Sequence, residues 1–200
     1  TETRVERFEA GDDGRVRAVA TDRGTFAADA VILGIGVRPN VDLGRRAGLE
    51  LGVTGAIRVD ERMATSDPDV YAAGDCCQST DRLTGRPCYV PMGSTAHKQA
   101  RVAAINLCGG RDTFPGVLGT AICKVFDYCV ARTGLTEAQA RDLGYDVETA
   151  LAPAPDRAHY MPNARELLLK LVADRKTRRL LGAQATGPGQ ADKRIDVAVM

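Results

Sequence analysis

The dipeptide Gly74-Asp75 has the residue types of a ligand site. Asp67-Pro68-Asp69 has the composition of a turn, and Val70–Ala73 is expected to follow it as a short strand. Gly74 lacks a Cβ atom, so another group can approach its backbone closely. The Asp75 carboxylate only accepts hydrogen bonds, which suits it to a ligand hydroxyl beyond the carboxyl end of a strand. We therefore expect a ligand here; the alternative is a helix cap or a solvated turn.

A second feature is the start of a helix near Ser94 and Thr95, either of which can cap it. The free N–H groups and the positive dipole end of such a start favour negative charge. Small and apolar residues recur at helical spacing and are expected to form its buried face. They are Ala96, Ala100, Ala103, Ala104 and Leu107.

Ala30–Leu33 is apolar on both faces, which predicts a buried parallel strand. Gly34 and Gly36 follow it, where backbone could meet a ligand, although a glycine turn shaped only by packing is the alternative for Gly36. The apolar run Ala30–Val37 is far shorter than a bilayer span.

The composition indicates a globular protein, with 44% hydrophobic and 26% charged residues. A formal net charge of +1 favours neither nucleic acid nor an anionic membrane as a partner. Six cysteines occur without a C-x-x-C pair, and two histidines are present, which argues against a zinc site. We expect reduced, mostly buried thiols in a cytoplasmic protein, and we do not expect Cys76-Cys77 to act as a redox pair.

The remaining pattern predicts the other elements. Thr3–Phe8 and Val16–Thr21 alternate around a Gly/Asp turn, as in a hairpin. Short helices and strands are expected in the middle of the chain, at Leu43–Leu49 and Ala56–Val59. After a linker at Phe114–Gly116, the pattern predicts an antiparallel α+β unit. Its elements are a strand at Thr120–Thr133, a helix at Thr136–Leu143, strands at Val147–Ala152, Glu166–Ala173 and Leu180–Ala185, and a helix from Ala191.

Three stretches resemble the pyridine nucleotide-disulfide oxidoreductases. They are TSDPDVYAAGD at Thr65–Asp75, AVILGIGVRPN at Ala30–Asn40 and VPMGSTAHKQARVAAINL at Val90–Leu107. The resemblance implies that Asp75, beside Gly74, holds a ribityl hydroxyl of FAD. It implies that Gly36 lies beside the nicotinamide nucleotide. It also implies that Met92, Gly93 and Ser94, with Thr95 and Ala96 beside them, contact the isoalloxazine.

The chain looks most similar to the branch of NADH oxidases, NADH peroxidases and coenzyme A-disulfide reductases. In that branch a single cysteine beside the flavin cycles through thiolate, sulfenate or mixed disulfide, and it would lie upstream of this chain. Asp156–Pro162 resembles the H-Y-Y-P stretch of coenzyme A-disulfide reductases, with Met161 in place of one tyrosine. The resemblance implies that Tyr160 reaches the partner subunit's active site as a catalytic residue; the alternative is an interface tyrosine that only packs.

The expected fold is α/β, with Rossmann-like FAD- and NAD(P)-binding portions, followed by an α+β dimerisation domain with an antiparallel sheet. We expect residues 1–40 to end the NAD(P)-binding domain, 41–113 to belong to the FAD-binding domain and 114–200 to form a truncated dimerisation domain. The implied function is a fragment of an FAD-dependent NAD(P)H oxidoreductase like coenzyme A-disulfide reductase, acting as a homodimer and inactive as a fragment. An NADH oxidase or peroxidase using oxygen or peroxide, and a non-catalytic dimerisation module, are the alternatives.

Overall fold

The computed structural model describes residues 2–200, and the chain divides into two units between Arg38 and Pro39. In the first unit, strands β1 (Val5–Ala10), β2 (Val16–Thr21) and β3 (Gly24–Ala27) form an antiparallel sheet in that order. The predicted hairpin is therefore confirmed. Its turn is closed by the Arg15 N–H, which donates to the Asp13 carboxylate, as an Asx turn does.

The predicted buried strand at Ala30–Leu33 is wrong. This segment has no strand hydrogen bonding, and the side chains of Ile32 and Leu33 are 95% and 65% exposed. A parallel strand needs a neighbouring strand that hydrogen-bonds to it, and in parallel sheets helices cover both faces. Among residues 2–200 no such neighbour pairs with this segment.

The second unit begins with α1 (Asp42–Arg46), the two-stranded pair β4 (Ser79–Thr80) and β5 (Pro87–Cys88), and α2 (Gly93–Leu107). The strands predicted at Ala56–Val59 and Val70–Ala73 do not form as ladders. Their segments take part only in isolated bridges, because no neighbouring segment in the described chain pairs with them over several residues. These bridges join Leu51 to Ile57, Ile57 to Cys77 and Ala64 to Tyr71.

Helix α2 starts earlier than the predicted caps imply. Met92 occupies the N-cap position with φ −141° and ψ 137°, and no side chain caps the helix, so the prediction of Ser94 or Thr95 as the cap is wrong. The buried face also differs, since Ala100, Ala104 and Leu107 are exposed. Two amides form part of the buried face instead, because hydrogen bonds to other segments satisfy each of them there. The buried residues are Gln99, Val102, Ala103 and Asn106.

Residues 121–199 form the predicted antiparallel α+β unit. Its elements are β6 (Ala121–Val125), β7 (Tyr128–Gly134), α3 (Glu137–Asp142), β8 (Val147–Pro155), β9 (Glu166–Asp174), β10 (Leu180–Gly187) and α4 (Ala191–Val199). The sheet has the order β6-β7-β10-β9-β8, with every pair antiparallel. The predicted capping box of α3 is present, with Thr136 and Gln139 bonded to each other's backbone N–H groups.

The single strand predicted over Thr120–Thr133 is instead a hairpin. Val125 pairs with Tyr128, so Phe126 and Asp127 form a two-residue turn. Such turns need positive φ values, and Phe126 adopts φ +52°. Phe-Asp lacks the glycine or asparagine that marks these turns, so no local pattern indicates a turn here.

The five-stranded sheet has one covered face and one partly bare face. Helix α4 packs through Ile195 against Ala131, Ala183 and Ala185 on the first face. Side chains alternate across a strand, so Val130 and Leu168 point to the opposite face. Helix α3 covers part of that face, where Ala140 packs with the buried Val172. The apolar remainder, called here the open sheet face, is exposed and consists of Val125, Tyr128, Val130, Leu151 and Leu168.

No helix among residues 2–200 combines the length and the apolar content that crossing a bilayer requires.

Candidate functional site

Gly74 and Asp75 form a tight turn at the end of the extended segment 70–73. The Cys77 N–H donates to the Gly74 carbonyl over 3.0 Å, and Gly74 adopts φ +89°, a conformation that side chains disfavour. The Asp75 carboxylate is exposed, and it forms no hydrogen bond or ion pair with any described residue. A carboxylate left free on a rigid turn can accept hydrogen bonds from a ligand.

Gln99 of α2 hydrogen-bonds to the backbone of this turn. Its side chain is fully buried; Oε1 accepts the Gly74 N–H over 2.9 Å and Nε2 donates to the Ser79 hydroxyl over 3.0 Å. Sequence reasoning missed this residue. The available signal was a polar side chain between Ala96 and Ala103 on an otherwise apolar helix face, because a buried amide persists only where its donors and acceptors are satisfied.

Tyr89 also bonds to the backbone of this turn. Its hydroxyl donates to the Asp75 carbonyl over 2.9 Å. Burial raises the pKa of the Tyr89 phenol, and the nearby Asp75 and Cys76 raise it further, so it stays protonated and remains a donor at neutral pH. The turn is thus fixed at Gly74 by Gln99 and at Asp75 by Tyr89.

The start of α2 lies against the turn. A Cβ atom placed on Gly74 would lie 3.4 Å from the Ala96 Cβ atom. Met92, Ser94 and Thr95 line a neighbouring cavity of about 130 Å³, although Gly74 and Asp75 do not. Gly93 at the first helical position is exposed, and no acidic residue lies in the first turn. The first N–H groups of a helix lack intrahelical partners and attract negative charge, so this start can face an electron-rich ligand.

Two predicted site residues lie elsewhere in the chain. Gly36 belongs to the first unit, in a non-regular segment with φ +80°. Tyr160 lies in the loop between β8 and β9, with its side chain 81% exposed and its ring edge-on to His159. Among residues 2–200, no hydrogen bond or ring contact joins Tyr160 to Gly74, Asp75 or the start of α2.

Two family models match the chain. Residues 1–103 match the model described as pyridine nucleotide-disulphide oxidoreductase, and residues 120–200 match the dimerisation domain of the same family. The chain belongs to the pyridine nucleotide-disulphide oxidoreductases.

Named members of the family resemble this chain over almost the whole length of the chain. An NAD(P)H sulfur oxidoreductase (CoA-dependent) of Pyrococcus abyssi is 45% identical over 97% of this chain and 43% of the relative. An NADH oxidase of Methanocaldococcus jannaschii is 36% identical over 91% of this chain and 40% of the relative. The chain therefore spans about two fifths of the length of these curated relatives.

Solved structures of the family agree with the fold. An NAD-dependent persulfide reductase from A. fulgidus superposes with a TM-score of 0.91 and 45% identity, over 99% of this chain and 37% of that one. The reduced CoADR-RHD of Bacillus anthracis gives a TM-score of 0.89 and 38% identity, over 99% and 35%. Family membership and the predicted fold class, α/β portions followed by an antiparallel dimerisation domain, are both confirmed.

The cysteines of this oxidoreductase chain are less buried than expected. Only Cys77 is buried, while Cys108 and Cys123 are exposed, so the expectation of mostly buried thiols is wrong. The Cys76 and Cys77 sulfur atoms lie 3.6 Å apart as free thiols. Burial, with Cys76 beside it, strongly raises the pKa of the Cys77 thiol, which keeps it protonated and a poor nucleophile. Among residues 2–200, no group of three or more His, Cys, Asp or Glu side chains is placed to hold a metal ion.

Proposed function

We propose that this chain is part of an FAD-dependent NAD(P)H oxidoreductase that reduces disulfides or persulfides of the coenzyme A type. The observation that carries the proposal is the free Asp75 carboxylate on a turn that Gln99 and Tyr89 hold in place. The relatives support the substrate class, since two of those described above are named for coenzyme A-dependent sulfur reduction and for persulfide reduction. The site residues also fit a flavin, because they offer an acceptor for its hydroxyls and helix N–H groups for its electron-rich ring.

Each residue of the site has a distinct part in holding the cofactor. Asp75 accepts a hydrogen bond from a ribityl hydroxyl, and Gly74 lets the ribityl chain approach its backbone. Met92, Gly93 and Ser94 contact the isoalloxazine, with Thr95 and Ala96 beside them. The first N–H groups of α2 would stabilise the negative charge of a reduced flavin.

The bound FAD would supply hydride and electron chemistry, taking a hydride from NAD(P)H and giving two electrons to a sulfur acceptor. In this proposal Gly36 lies beside the nicotinamide nucleotide. Residues 1–40 end the NAD(P)-binding domain, 41–113 belong to the FAD-binding domain and 114–200 to the dimerisation domain. The separation of units between Arg38 and Pro39 and the family matches at 1–103 and 120–200 support this division. The proposal keeps the cytoplasmic location expected from the cysteine content.

We propose that the protein acts as a homodimer through its C-terminal domain. The family match to a dimerisation domain and the exposed apolar side chains of the open sheet face support this proposal. In a homodimer, the exposed Tyr160 would reach the partner subunit's active site. Its phenol would donate a hydrogen bond to the thiolate that leaves when a disulfide is reduced.

A second candidate function is NADH oxidase, because a relative with that name is 36% identical. The two functions share the flavin site and differ in the electron acceptor.

An assay of the full-length protein with several acceptors separates these functions. We expect a flavin absorbance spectrum and NAD(P)H oxidation that is faster with coenzyme A disulfide than with oxygen or hydrogen peroxide. Turnover with oxygen or peroxide alone would instead favour the oxidase or peroxidase. A colourless protein inert with all three acceptors would contradict the proposed function and support a non-catalytic module.

The Asp75→Ala variant tests the flavin site directly. Loss of one hydrogen bond to a charged acceptor weakens binding by about 1.5 kcal/mol or more, which corresponds to a roughly tenfold lower FAD affinity. The measurement is a fluorescence titration of the apoprotein with FAD. Asp69→Ala is the matched control, because Asp69 is an exposed aspartate of the same stretch that lies outside the proposed contacts. An unchanged FAD affinity in Asp75→Ala would remove Asp75 from the site.

A further inference from the structure

The loop that carries Tyr160 has little internal structure to hold its shape. It follows the last register pair of β8 and β9, Pro155 with Glu166. Beyond the bond between Asp156 and Arg165 at its base, its backbone bonds are Met161 N–H to the Ala158 carbonyl over 2.9 Å and Ala164 N–H to the Met161 carbonyl over 3.3 Å. Tyr160 and Met161 are both exposed on it. Its conformation must therefore be set largely where it joins the sheet.

The Asp156 carboxylate closes the base of this loop. Its side chain is only 1% exposed. Oδ1 accepts hydrogen bonds from Arg157 Nε over 3.2 Å and from the Arg165 N–H over 3.0 Å, so one oxygen joins the two ends of the loop. The Asp156 N–H donates in turn to the Arg165 carbonyl over 2.8 Å.

The second carboxylate oxygen ties the loop base to a third segment. Oδ2 accepts from Arg157 Nη2 over 3.0 Å and from the Gln190 N–H over 3.3 Å, just before α4. These bonds, led by Arg157, lower the pKa of Asp156 to about 2, so the carboxylate is charged at neutral pH. Asp156 therefore bonds to both ends of the loop and to the residue that precedes α4.

The backbone around Asp156 is fixed as well. Arg194 of α4 donates through Nη2 to the Asp156 carbonyl over 2.9 Å. Gly189 packs so closely that a Cβ atom on it would lie 2.7 Å from the Asp156 Cβ atom. Contacts from two other segments thus hold the residue that closes the loop.

From this geometry we propose that Asp156 is the positioning residue of the Tyr160 loop, with Arg194 as its support. The loop's shape, and with it the direction in which Tyr160 extends, depends on the Asp156 hydrogen bonds to Arg157, Arg165 and Gln190. The value of this positioning for catalysis rests on the proposed role of Tyr160.

The test compares Asp156→Asn with Asp174→Asn in the full-length holoenzyme. Asp174 is a matched control, because it is a buried aspartate that closes the β9–β10 turn by accepting from the Thr177 N–H and hydroxyl. Hydrogen exchange measured by mass spectrometry reports on residues 157–165. We expect exchange there to become at least tenfold faster in Asp156→Asn and to stay unchanged in Asp174→Asn. Equal exchange in the two variants would overturn the proposal.

A second variant and a kinetic comparison make the result decisive. Arg194→Gln leaves the carboxylate in place and is expected to give a smaller acceleration at the same peptide; no acceleration would overturn the supporting role of Arg194. In Asp156→Asn, disulfide-dependent kcat should fall severalfold while the rate of flavin reduction by NAD(P)H is kept. Tyr160→Phe should lower that kcat without changing exchange. Faster exchange in Asp156→Asn would support the positioning proposal. If turnover also stayed full in both Asp156→Asn and Tyr160→Phe, the catalytic role of Tyr160 would be contradicted.

Discussion

Gln99→Leu is expected to destabilise the fold and to weaken the proposed FAD binding. Leucine fills similar space but leaves the Gly74 N–H and the Ser79 hydroxyl without the partners that Gln99 gives them. Each buried group left unsatisfied costs roughly 1–3 kcal/mol, so we expect the two together to lower the free energy of unfolding by about 2–6 kcal/mol. The Gly74-Asp75 turn also loses its anchor to α2, and FAD affinity should fall roughly tenfold or more.

Asn106→Leu separates these two effects. Asn106 is a second buried amide on the same face of α2, and it bonds to the Arg62 carbonyl and to both backbone groups of Asp112. Its replacement should cost a similar stability, measured by urea unfolding, because it also leaves buried groups unpaired. Its hydrogen bonds go to Arg62 and Asp112 and not to Gly74 or Asp75, so the FAD affinity of the folded fraction should stay unchanged. Equal losses of FAD in the two variants would show that Gln99 matters only for stability.

The features that could be predicted from the sequence depend on contacts between residues close together in the chain. The features that were missed depend on contacts between distant residues. The capping box of Thr136 and Gln139 and the hairpin turn before Arg15 are complete within a few residues, so their sequence patterns sufficed. The role of Gln99 depends on Gly74, 25 positions away, and nothing local to α2 indicates that partner. The Asp156 cluster likewise draws on Gln190, 34 positions away.

Failed strand predictions have the same physical origin. An apolar run such as Ala30–Leu33 has the composition of a parallel strand, but composition does not supply the neighbours that make it one. Phe126 shows the opposite error, because a turn formed there without glycine or asparagine against the local preference. The β6–β7 hairpin forms despite that unfavourable φ value, and its strands pair from Ala121–Arg132 to Val125–Tyr128.

Leu168→Asp is expected to convert the proposed homodimer of the full-length protein into a monomer. Leu168 lies on the open sheet face, where it pairs across strands with Thr186 and is 40% exposed. If a second copy covers this face, the aspartate places an unpaired charge in an apolar interface. A cost of about 3 kcal/mol or more raises the dimer dissociation constant roughly a hundredfold. Light scattering after size-exclusion chromatography, at protein concentrations near the wild-type dissociation constant, measures the change.

Val53→Asp is the control for the Leu168→Asp substitution. Val53 is also an exposed aliphatic residue, but it lies in a turn outside the sheet, so its replacement should leave the dimer intact.

The same monomer tests the role of Tyr160. If Tyr160 acts in the partner subunit's site, the Leu168→Asp monomer should bind FAD and accept hydride from NAD(P)H yet lose disulfide-dependent turnover. A monomer with full turnover would place all of the chemistry within one subunit. A persistent dimer in Leu168→Asp would show that a different surface joins the two copies.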